Sequence, residues 1–180
     1  MDGSETRMWF AGGEPHALDD EQHAFVAALA GRLAEVAPAG VDVAGTAVRV
    51  EPGRADAVIP HRFFGGLAIA VSLLGREVQV AWLRVHSLNR SDDFDAVTDE
   101  GWPRFEEIMG DASGTQRVLD HIVREMRREF VVRTSGRRLE VVLDGTSLWK
   151  ERRPGQSPER RFAASFTTPI EEIERRLAQG

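Results

Sequence analysis

Cysteine is absent, so disulfides, thiol catalysis and cysteine-ligated zinc are all excluded. No apolar run reaches the roughly 20 residues a membrane-spanning helix needs; the longest, Gly65 to Val85, is interrupted by Arg76 and Glu77. The opening stretch MDGSETRMWFAGG is acidic and lacks an apolar core, so it does not read as a secretory signal. The cytoplasm is the expected compartment. Lysine is nearly missing as well. Lys150 is the only one among 23 basic residues, so arginine is this chain's default cation and an arginine count alone says little about phosphate binding.

The familiar catalytic patterns are also missing. There is no G-x-G-x-x-G, P-loop, H-E-x-x-H or G-x-S-x-G. Ser147-Leu148-Trp149-Lys150 fits S-x-x-K, but that motif needs its serine at a helix start, and here the serine follows an Asp-Gly turn into a strand. Asp92, Asp93, Asp95, Asp99 and Glu100 crowd together, yet counting from Asp93 the sixth position is Thr98, where a calcium loop needs glycine. No metal or cofactor is expected.

What is present is a globular balance. With 42% hydrophobic and 29% charged residues over 180 positions, the chain is too apolar for disorder and long enough for one domain with a full core. Residues 1–17 read as a flexible arm, with Trp9 and Phe10 tucked onto a single α+β domain spanning 18–180. The domain is organised around residues 66–85. Leu67, Ile69, Val71 and Leu73 alternate with Ala68, Ala70, Ser72 and Leu74, the two-residue period of a strand. Gly75-Arg76 turns the chain, and Val78, Val80 and Trp82 return in the same rhythm. The small face of the first arm leaves room for a helix.

Around this hairpin the rest falls into order. Asp19 and Gln22 form a capping box for a helix whose stripe is Phe25, Val26, Leu29, Leu33 and Val36, stopped by Pro38 and Gly40. Val41–Val43 and Val48–Val50 read as strand, with a bulge at Ala44-Gly45, and residues 56–64 as an edge segment because of Pro60. Residues 86–101 form a polar loop, and Pro103 opens a short helix. A longer helix is expected over about Thr115 to Val132, introduced by Ser113 and Gln116. Strands follow at 139–144 and 148–152 across Asp144-Gly145, then a loop over 154–158 and a strand at 162–166. Thr168-Pro169 starts a last helix. The expectation is an antiparallel sheet of about five to six strands with helices mainly on one face. Small secretion-chaperone-like domains share this coarse order of elements, though no sequence motif accompanies it.

Charge is divided unevenly. Residues 115–161 hold twelve basic and seven acidic side chains, net +5 in a chain of net −6, so the remainder carries −11. This polarity points to an acidic protein partner, or the acidic half of a second copy in a homodimer. The candidate contacts are Arg124, Arg127 and Arg128 on the long helix, with Trp149, Arg152 and Arg153 beyond it. Net negative charge and the lack of a recognition module argue against nucleic acid. An enzyme is the alternative. His61, His86 and Asp92, with Arg62 and Arg84, fall by topology at the open end of the central hairpin, where a His–carboxylate pair would serve as acid/base or metal site. His121, four residues before Glu125, reads as surface.

Overall fold

The computed structural model describes residues 9–74, 77–85, 94–96 and 112–179. In chain order these form β1 (Gly12–Gly13), α1 (Asp20–Val36), β2 (Ala47–Glu51), β3 (Arg54–Pro60), β4 (Leu67–Leu74), β5 (Glu77–Val85), β6 (Phe94–Ala96), α2 (Ala112–Arg127), β7 (Phe130–Leu143), β8 (Thr146–Ala164) and α3 (Ile170–Ala178). The helix expected from Pro103 lies outside the described residues, as does most of the polar loop before it.

Strands β1 to β6 make one sheet in sequential order, parallel only between β1 and β2. The expected α+β architecture is present, and the hairpin β4–β5 lies inside the sheet, paired from Leu67↔Arg84 to Leu74↔Glu77. The large face of β4 and the Val78, Val80, Trp82 row of β5 join a core that also takes Leu29 and Leu33 from α1, Ile122 and Met126 from α2, and Ile173 from α3. Helices thus cover the face with the large side chains. The small face forms a separate cluster of Val58, Ala68, Ala70 and Leu83, to which none of the described helices contributes. Large side chains offer more apolar area to bury, and this outweighs the closer approach that alanines permit.

Of the expected arm, residues 1–8 lie outside the described residues, and Trp9 and Phe10 are tucked onto the domain: Phe10 is buried and its N–H donates to Thr46 Oγ1 at 2.7 Å, and β1 beyond them pairs with β2. Gly13 has φ +78°, and a Cβ there would meet the Val48 carbonyl oxygen at 1.9 Å, so only glycine lets this strand dock. Several local expectations are corrected. The β3 segment is interior, between β2 and β4. Pro60 is its last residue, where the missing N–H is tolerated, and its carbonyl accepts from Asp42 N–H at 3.0 Å. Val41 makes only an isolated bridge with His61, and the parity change at Ala44-Gly45 is a pair of turns, Gly45 N–H to Asp42 and Thr46 N–H to Val43.

The α1 capping box is formed as its sequence implies, with Gln22 N–H on Asp19 Oδ1 at 2.8 Å and the reciprocal bond present. Helix α2 already begins at Ala112, so Ser113 lies inside it, and Gln116 donates instead to Asp120. It ends at Arg127, because Phe130 to Val132 pair with Phe162 to Ala164 in β7–β8. Phe130 fits a helical stripe and a strand equally well, and pairing decided. Before α3, Thr168 Oγ1 accepts from Ser165 N–H and leaves Pro169 as a cap without a side-chain bond.

The largest surprise is the length of β7 and β8. Ser135-Gly136 does not break the chain; both strands continue past it as one two-stranded ribbon. The loop expected over 154–158 is a wide bulge within that ribbon, where β8 runs five residues from Arg152 to Ser157 while β7 runs two from Gly136 to Arg138.

Candidate functional site

The histidine site is not assembled by the described residues. The register Leu67↔Arg84 does bring the end of β5 beside the start of β4, but the turn between β3 and β4 carries His61 inward. His61 is 1% exposed. Its ring lies against Phe64 and Phe166, both with centroids at 4.9 Å, and its Nδ1 accepts from the N–H groups of Phe63 and Phe64 at 3.0 and 3.3 Å. A nitrogen that accepts carries no proton, so the ring is the neutral Nε2–H tautomer. Burial pushes its pKa down to about 4, against a small opposing pull from the Ser165 carbonyl. A neutral, enclosed histidine orders a turn and has no route to a substrate. His86 and Asp92 lie outside the described residues. No group of three or more His, Cys, Asp or Glu among the described residues could hold a metal ion.

His121 is buried rather than on the surface, and burial lowers its pKa, with Glu125 opposing. Glu125 is buried too; its Oε2 accepts from Trp82 Nε1 at 3.0 Å and from Arg128 at 3.2 Å. Arg128 also pairs with Asp144 at the β7–β8 turn. Arg128 therefore links α2, through Glu125, to β5 and to the ribbon, and its charge is paired within the fold. Arg124 and Arg127 are exposed, with no ion pair among the described residues. Arg128→Met is expected to cost about 1–2 kcal/mol in urea unfolding, because the Glu125 carboxylate loses a donor while staying buried. An unchanged midpoint would show that the network carries nothing.

The ribbon is where cations accumulate. Burial follows Phe130, Val132, Thr134, then Leu139 and Val141 along β7, which makes that side the inner face. Trp149 belongs to it, opposite Val141 and edge-on to Phe64 at 5.4 Å, so this candidate anchor is largely used by the fold. Arg153 stacks over Phe63 at 5.4 Å. Arg160 points its guanidinium at the carbonyls of Arg176 and Leu177, closing the end of α3.

The outer face is different. Arg133 stands directly opposite Arg161, and Arg138 directly opposite Arg152. All four are exposed, and none makes an ion pair among the described residues, although the charge of Arg133 helps to lower the pKa of Glu140. Glu140, the next outward residue on β7, is held below its ordinary pKa by the Ser147 hydroxyl and then by Lys150, its cross-strand neighbour at 3.3 Å. A groove of about 790 Å³ runs along this part of the ribbon, lined by the outward Arg138, Glu140, Lys150 and Arg152 and also by Ser135, Arg137 and the inward pair Leu139 and Glu151. Like charges set opposite each other on a sheet destabilise it, so this arrangement can hold a multivalent anion that neutralises them.

No known protein-family model, curated protein or solved structure matches the chain. No helix among the described residues is long and apolar enough to cross a membrane. The sequence places Arg133, Arg138, Arg152 and Arg161 in one basic set but does not pair them across the ribbon, since the pairing depends on the bulges.

Proposed function

We propose that this is a non-enzymatic, cytoplasmic binding or adaptor protein, chaperone-like in mode, that receives an acidic segment of a partner protein on the outer face of the β7–β8 ribbon. One observation carries this reading: two cross-strand Arg–Arg pairs, Arg133–Arg161 and Arg138–Arg152, none of whose four members makes an ion pair among the described residues, the nearby Glu140 being shared by Lys150 and the field of Arg133. Each such pair costs the folded ribbon some tenths to ~1 kcal/mol, and an acidic ligand turns that cost into binding energy. The mixed lining, with Glu140 and Glu151 among the cations, suits a polypeptide better than a polyphosphate backbone. A two-fold contact of ribbon on ribbon would set arginine against arginine, so a homodimer through this face has to use the acidic half of the second copy.

The test is a pull-down from the native host with Arg133, Arg138, Arg152 and Arg161 all changed to Glu, beside a variant with Arg117, Arg124 and Arg127 changed to Glu. Acidic partners are expected to vanish with the ribbon variant and persist with the helix variant. If every partner survives the ribbon change, the reading is lost. Light scattering decides whether the partner is a second copy. A separate readout needs no partner: Arg138→Glu alone is expected to stabilise the free protein by about 0.5 kcal/mol, by creating a pair with Arg152.

A further inference from the structure

We infer that the acidic segment binds as an added β-strand along the free edge of β7. This rests on the reading just given and states how the ribbon is used. Among the described strands β7 and β8 pair only with each other, so each has one edge whose outward N–H and C=O groups lack a strand partner. The two edges are not equivalent. That of β8 is blunted by Pro154 and Pro158, which have no N–H, and by the surplus residues of the bulge. Strand β7 contains no proline from Phe130 to Leu143, and its own irregularity is confined to Gly136, with φ +59° and a register shift on either side. Arg133 and residues 135–138 on it are exposed, and its one carboxylate, Glu140, is held by Ser147 and Lys150, with Arg133 acting on it more weakly.

A two-stranded ribbon is a marginal unit, and a third strand completes it. An incoming strand sends alternate side chains to one face. Arg133 and Arg138 are five residues apart and share the outer face because the inward parity of β7 changes across Gly136. Carboxylates at every second position of a regular incoming strand would therefore reach both, while main-chain bonds supply affinity independent of sequence. The sugar-phosphate backbone of a nucleic acid has no amides with which to extend a sheet.

The experiment uses the full chain and three probes: a short peptide alternating Glu and Thr, a peptide of the same length alternating Glu and Pro, and a single-stranded oligonucleotide. Affinity is read by calorimetry and amide protection by hydrogen exchange. The Glu-Thr peptide is expected to bind and to protect amides between residues 133 and 138. The Glu-Pro peptide should bind at least ~tenfold more weakly, because each missing main-chain bond is worth a factor of roughly three to ten. Equal binding of the two peptides, or protection confined to β8, overturns strand addition while leaving an acidic partner in place. Failure of both peptides overturns both conclusions. An oligonucleotide that binds more tightly than either does the same in favour of nucleic acid.

Discussion

Val80→Asp is expected to leave no native protein at pH 7. Val80 is 1% exposed, on the large face of the sheet, directly opposite Val71 and one row from Trp82. Aspartate there loses the burial of the valine, roughly 1.5 kcal/mol or more. It also places an ionised carboxylate where the described residues of the core offer no cation, a penalty of several kcal/mol after relaxation. Together these approach the whole stability of a domain this size, about 5–15 kcal/mol. Near-UV circular dichroism and proton NMR dispersion read the result. Val80→Ala is the control, expected to stay folded and lose about 2 kcal/mol. A native-like Val80→Asp protein would show that the central hairpin does not carry the core.

The second large effect is a loss of stability in acid that originates at His61. The unfolded ring takes up its proton near pH 6.5, the folded one only near pH 4. Between those values the unfolded chain binds the extra proton, so stability falls as pH falls and is level above about 6.5. At 1.36 kcal/mol per pH unit the loss is about 2 kcal/mol at pH 5 and about 3 at pH 4. His121 is displaced in the same direction and adds to the slope. His61→Asn keeps an acceptor for the Phe63 and Phe64 N–H groups but cannot take up the proton. Urea unfolding of both proteins at pH 7, 6 and 5 isolates the effect: the variant is expected to start lower and to fall less. Parallel curves would mean that His61 is solvated and free to titrate, as the enzyme alternative requires of it.

These effects differ in how visible they are in the sequence. The hairpin that makes Val80 critical is written in a two-residue period flanked by a turn. Side chains alternate faces along a strand whatever the strand packs against. The capping box at Asp19 and Gln22 was legible for a similar reason, since its donors and acceptors lie within one turn of chain. Local chemistry of this kind is fixed before any long-range contact forms.

His61 shows where such reading stops. Beside proline and arginine it looked like a polar strand end. Its burial depends on Phe64, Phe130 and Phe166, which come from three separate parts of the chain. The site on the ribbon depends still more on tertiary structure. A regular two-residue hairpin at Asp144-Gly145 would set Arg138 opposite Glu151, an attractive pair. The extra residue of β8 at Leu148 shifts the register by one and sets it opposite Arg152 instead. By itself the sequence determined the α+β class, the central hairpin, the first helix with its cap, and the polarity of charge, because each follows from spacing or composition. Only the tertiary structure decided which arginines are consumed by the fold, as Arg128 and Arg160 are, and which are left facing one another. A strand's register, and hence the charge it meets, is set by bulges that no local period records.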